Sequence, residues 1–158
     1  MQNDCFICQR ITQIENQQNP YFVRELATGY VVLGDSQYFR GYTLFLAKTH
    51  VTELHLMSPD VQLQFLQEMS WVSEACAQAF AADKMNVELL GNGDSHVHWH
   101  IFPRHKGDTP QPGPVWWVAP EVMYADETAP AAADLAQMKA DLNHALDGVL
   151  SKYGHGEV

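Results

Sequence analysis

Histidine takes every other position in His96-Val97-His98-Trp99-His100, and the run continues through Ile101-Phe102 to Pro103-Arg104. On a β-strand, side chains two residues apart share a face and stand roughly 7 Å from one another. The three imidazoles would then form a row, with Val97, Trp99 and Ile101 turned to the core. Strand is the better assignment, because Val, Trp, Ile and Phe suit a pleated, half-buried surface and Pro103 closes the run. A neutral imidazole can act as nucleophile, proton donor, proton acceptor or metal ligand near neutral pH. Two chemistries therefore fit the row: an open site with three histidine ligands, or a nucleophile flanked by groups that donate to a charged substrate. Cys5-x-x-Cys8 is a second candidate, half of a zinc site by spacing, whose other ligands spacing alone does not find. The redox use of such a pair wants a strand-to-helix junction in a βαβ context, which the flanking residues do not offer.

The elements that must position these groups follow from apolar periodicity and turn chemistry. Tyr21 to Leu26 and Tyr30 to Leu33 read as short strands around a Thr28-Gly29 turn, and Thr43 to Ala47 as a third. Ser58-Pro59-Asp60 opens a long helix with a capping hydroxyl, a first-turn proline and an early carboxylate. Its expected buried stripe is Val61, Phe65, Leu66, Met69, Val72, Cys76 and Phe80, with Cys76 a packed core thiol. Met85 to Leu90 and Val97 to Phe102 read as antiparallel neighbours joined by Gly91-Asn92-Gly93-Asp94-Ser95. A proline-rich stretch and Trp116-Trp117 suggest an extended arm against a second subunit, and a helix runs from about Ala131 to Tyr153, ended by Gly154. The fold class is α+β: a mainly antiparallel sheet, a long central helix and a C-terminal helix. Residues 1–158 form one domain, with arm and C-terminal helix at about 110–158. Arg104 reads as a solvated charge at a strand end. His55, His105, His144 and His155 read as surface residues.

Composition narrows the function classes. Nine Lys and Arg against 19 Asp and Glu give a net charge of −10 over 158 residues. Such a surface repels phosphate backbones and anionic lipids, which argues against nucleic-acid or membrane partners but not against a small nucleotide in a local cleft. No basic segment followed by an apolar run opens the chain, and no window approaches the ~20 apolar residues of a membrane span. With three cysteines and no disulfide framework, the chain reads as cytoplasmic.

His96-Val97-His98-Trp99-His100-Ile101-Phe102 matches a His-φ-His-φ-His-φ-φ signature, φ being apolar, and the chain resembles the histidine triad superfamily of nucleotide hydrolases and transferases. Cys5-x-x-Cys8, the Gly41 to His50 segment, the helix after Ser58 and Phe102-Pro103-Arg104 follow in the expected order. The likeness is greatest to bacterial members related to diadenosine polyphosphate hydrolases. The resemblance implies cleavage at the α-phosphorus of a dinucleoside polyphosphate, such as diadenosine tetraphosphate, or a related conjugate. His98, His100 and His96 are the candidate catalytic residues. His98 would form a nucleotidyl-histidine through Nε2, with Nδ1–H held by a backbone carbonyl, and His100 would donate to the non-bridging oxygens. Asn92, Ser95 and the turn's backbone N–H groups are candidate phosphate contacts, and Asp35 the candidate ribose contact. Phe6, Val32 and Leu33 are candidates to cover the base. The resemblance also completes a structural zinc site, Cys5, Cys8, His50 and His96, and implies a homodimer.

Two departures from the family pattern bear on mechanism. Tyr42 stands where many members have a further histidine, and the short turn before the triad lacks the usual glutamine. Where it stabilises an oxyanion, one lost donor costs on the order of 10²–10³ in rate. The alternatives are therefore a nucleotidyltransferase or phosphorylase using the same intermediate, and a nucleotide-binding module with weak turnover.

Overall fold

A computed structural model describes residues 4–153; Gly154 and His155 lie outside the described residues. Five strands, β1 (Phe22–Glu25), β2 (Gly29–Leu33), β3 (Thr43–Ala47), β4 (Lys84–Leu89) and β5 (His98–Arg104), build one antiparallel sheet in the order β1-β2-β3-β5-β4. The helices are α1 (Phe6–Glu15), α2 (Pro59–Ala79), the short α3 (Pro120–Met123) and α4 (Ala132–Lys152). This is the expected α+β architecture, with β4 and β5 paired across the Gly91 to Ser95 turn.

The period-2 alternation of the strands sends their side chains into two cores. Val31, Leu33, Phe45, Ala47, Val97 and Ile101 meet α2 and α4 on one face. From α4 come Met138, Leu142, Leu146 and Val149, all 1% exposed or less, each contributing about 1.5–3 kcal/mol of burial. On the other face Tyr30, Val32 and Leu46 pack against Ile7, Ile11 and Ile14 of α1. Those three isoleucines recur at four- and three-residue steps, the stripe of an amphipathic helix. The sequence reading did not assign this helix.

The α2 stripe starts later than periodicity suggests. Val61 is 40% exposed and the buried run begins at Phe65, continuing through Glu68, Trp71, Val72, Ala75 and Cys76. Ser58 is the N-cap by backbone geometry, yet its hydroxyl makes no capping hydrogen bond. Glu68 is buried because its carboxylate accepts from Ala27 N–H at 3.1 Å, Thr28 N–H at 2.9 Å and the Thr28 hydroxyl. The helix thereby holds the turn between β1 and β2. Arg104 is not solvated. It is 8% exposed, forked onto both Asp108 oxygens at 2.7 and 2.9 Å, and bonded to Asn86 and the Gly113 carbonyl, with Phe39 beneath its guanidinium. The loop after β5 folds back over the strand end and removes it from water.

Candidate active site and metal centre

β5 lays its imidazoles on the α1 face of the sheet, where Leu46 stands opposite His98 and Leu44 opposite His100. Each ring is held by a different partner. His96, 1% exposed, donates from Nε2 to the Ala47 carbonyl at 2.8 Å and turns Nδ1 toward Cys5 and Cys8. His98 donates from Nδ1 to the His96 carbonyl at 2.6 Å, which leaves Nε2 as its free nitrogen. His100 has Nδ1 2.7 Å from the Tyr42 hydroxyl, and its ring lies parallel to those of Tyr42 and Phe102. Burial first, and the neighbouring His98 second, push the His100 imidazole down to about 4, so it is neutral at physiological pH.

His98 and His100 line a cleft of about 310 Å³ together with Phe6, Arg10, Val32, Leu33, Asp35, Tyr42 and Asp94. Phe6 and Val32 thus share one cavity with the imidazoles, whereas Leu33, also expected there, borders it only along the strand and sends its side chain into the helical core on the opposite face. Asp35 sits at its rim with its carboxylate forked by the Arg10 guanidinium, one contact being 2.8 Å, while Arg10 lies over the Phe6 ring. Arg10 went unnoticed in the sequence because its place depends on α1. Asn92 and Ser95 are exposed on the turn, and Asp94 is the turn residue that reaches the cleft. A larger cavity of about 860 Å³, between β4 and the loop after β5, contains no residue of the row.

Trp116 does not extend as a free arm. Its indole N–H donates to Glu88 at 2.5 Å and its ring meets His100 and Phe102 edge-on, each at 6.0 Å. Trp117 is 67% exposed. Of the remaining histidines, His55 and His144 are exposed, whereas His105 donates from Nε2 to the Phe80 carbonyl at 2.7 Å.

Beside the cleft, Cys5, Cys8, His50 and His96 bring one ligand atom each within 4.8 Å of the others. The sulfur-to-nitrogen separations are 3.6 Å for Cys5 and His96, 3.5 Å for Cys8 and His96, and 3.4 Å for Cys8 and His50. Tetrahedral zinc with bonds of about 2.3 Å to sulfur and about 2.05 Å to nitrogen requires edges of about 3.6 Å, so the donor set fits that ion. Cys5 caps α1, its sulfur accepting from Cys8 N–H at 3.4 Å, and the Ala47 bond commits the second nitrogen of His96.

Comparison with known proteins agrees with this geometry. A family model described as the HIT domain matches residues 17–107. The protein Hit of Bacillus subtilis is 30% identical over 79 residues, 46% of this chain and 54% of that protein, so the match spans about half the length of that relative. A histidine triad protein from Marinobacter aquaeolei is 29% identical, with a TM-score of 0.67 over 81% of this chain and 89% of its own. A zinc-bound histidine triad family protein from Mycobacterium smegmatis shares the fold at 21% identity, with a TM-score of 0.64 over 94% of this chain and 97% of its own. With more than half of its length matched by the family model, and with His98 and His100 on β5 facing a cleft and His96 two residues before the strand, the chain belongs to the HIT domain family.

Proposed function

We propose that this protein is a cytoplasmic, homodimeric hydrolase that cleaves a dinucleoside polyphosphate, or a related nucleotide conjugate, at the α-phosphorus. The observation that carries the reading is the His98 ring, fixed through Nδ1–H to a backbone carbonyl on the wall of a cleft, with Nε2 making no hydrogen bond among the described residues. Nε2 attacks the α-phosphorus; a P–N bond forms as the P–O bond to the leaving polyphosphate breaks. Water then attacks the same phosphorus, the P–N electron pair returns to Nε2, and the water proton passes to solvent. From diadenosine tetraphosphate the products are AMP and ATP.

His100, neutral and on the same wall, donates to a non-bridging oxygen as negative charge gathers there. Asp35 at the rim takes the ribose hydroxyls, shared with Arg10, and Phe6 with Val32 takes the base. Asn92, Ser95 and the turn's N–H groups take the outer phosphates. Cys5, Cys8, His50 and His96 hold a structural zinc; with four protein ligands it offers no open position and supplies rigidity rather than a Lewis acid. His96 therefore serves the site through the metal and the carbonyl it presents to His98.

Incubation with diadenosine tetraphosphate and with an adenosine phosphoramidate, products resolved by chromatography, tests the reading. AMP should appear with wild type, and His98→Ala should lower turnover about 10³-fold or more at retained fold. Consumption of neither compound, or an active His98→Ala, overturns it. Sedimentation of the purified chain tests the dimer.

A further inference from the structure

Tyr42 and His100 are 58 residues apart and meet hydroxyl to ring nitrogen at 2.7 Å. The phenol is 6% exposed, and burial holds its ionisation well above the ordinary tyrosine value, so it keeps its proton. A buried O–H needs an acceptor, and among the described residues His100 Nδ1 is the partner in hydrogen-bond contact with it. Were Nδ1 itself protonated, it would donate to the phenol oxygen and the Tyr42 O–H would turn away, with no acceptor in hydrogen-bond contact among the described residues. The bond therefore runs from Tyr42 O–H to a bare Nδ1, which leaves the proton of the neutral His100 ring on Nε2.

The neighbouring ring is set the opposite way. A backbone carbonyl only accepts, so the His96 carbonyl requires a proton on His98 Nδ1, and in the neutral ring the lone pair then sits on Nε2. We propose that Tyr42 is a positioning residue that locks His100 in the Nε2–H tautomer, so that the two imidazoles facing the cleft present one lone pair and one N–H rather than two of either kind. This rests on the proposed role of His98 as nucleophile. The surroundings hold the phenol rigidly. Its ring stacks on Phe102 at 4.1 Å and 4°, and Gly34 leaves the space beside it, since a Cβ there would come within 2.3 Å of the ring. Tyr42 stands in the sequence where the family's histidine is missing, and in this chain the position acts on the donor's tautomer rather than on the substrate.

Long-range ¹⁵N–¹H correlation of the imidazoles in the full chain, with turnover measured on the same samples, tests the assignment. Wild type should show His100 protonated on Nε2 and His98 on Nδ1. Tyr42→Phe keeps the stacked ring and removes the donor; His100 should lose its single tautomer while His98 keeps its own, and kcat should fall about tenfold with KM little changed. Gly34→Ala, which displaces the Tyr42 ring without altering a polar group, should do the same. A His100 ring that is Nδ1–H in wild type, or one that stays Nε2–H in Tyr42→Phe, overturns the proposal. If the nitrogen signals behave as expected while no nucleotide is consumed, the hydrolase reading fails and the tautomer lock stands.

Discussion

His98 and His100 bear the same side chain on the same face of one strand and differ in what sits on Nδ1, a carbonyl for one and a phenol for the other. His98's anchor is local, the carbonyl two residues back along the chain, just before β5 begins. The partner of His100 comes from β3's approach, and no spacing rule pairs residues 42 and 100. A half-buried neutral His100 also carries a pH signature. Its folded value near 4 lies below the ordinary 6.5, so the unfolded chain binds the extra proton first. Stability should thus be complete above about pH 6.5 and fall as acid is added toward pH 4, at most about 1.4 kcal/mol per pH unit from this group. Urea unfolding across that range should show a shallower slope for His100→Asn; an unchanged slope would count against the assignment. Arg104 gives the complementary case. Hydrogen bonding to Arg104 holds the Asp108 carboxyl below its usual value, a contribution present above the ordinary carboxylate range and lost as pH falls through the depressed one. Arg104→Ala should cost about 3–5 kcal/mol, because it leaves Asp108, Asn86 and the Gly113 carbonyl without their donor.

At the scale of elements, β5 and α4 are legible because their apolar residues keep strict periods, and α2 because Ser58-Pro59-Asp60 marks its start. α1 is not, since thiols are unusual caps and the polar face of glutamines around Ile7, Ile11 and Ile14 reads as loop until the sheet face opposite is known. With α1 unseen, Arg10 and its hold on Asp35 were unseen too. Glu68 escaped for a related reason: a carboxylate in an apolar stripe looks like an error in the period, and its justification is a turn 40 residues earlier. That clamp should be costly to break. Glu68→Ala strands two backbone N–H groups and a hydroxyl, and should lower stability by about 2–4 kcal/mol in chemical denaturation, with Glu68→Gln intermediate. Equal stability for all three would mean that water replaces the carboxylate without loss.

Across the whole molecule, the metal ligands tie distant parts of the chain together: the start of α1, the segment after β3 and His96, two residues before β5. Protein purified without added metal should contain about one zinc per chain. Because a structural zinc contributes folding free energy directly, chelation should lower the unfolding temperature by several degrees or more. Hydrogen exchange should show α1 losing protection before α2 and α4, whose core it does not share. A metal-free protein with unaltered protection in α1 would sink the site. Of the described residues, no helix is long and apolar enough to cross a membrane.

β5 carries two messages in one stretch of chain, apolar residues for the helical core at odd positions and imidazoles for the cleft at even ones. Inserting or deleting a single residue between Val97 and Ile101 would exchange them, turning histidines into the core and Trp99 into the cleft. Substitution can therefore reach this site one side chain at a time, whereas a change of length within the strand destroys packing and chemistry together. Length variation among relatives should accordingly collect in the Gly91 to Ser95 turn and in the loop after β5, and stop abruptly at His96.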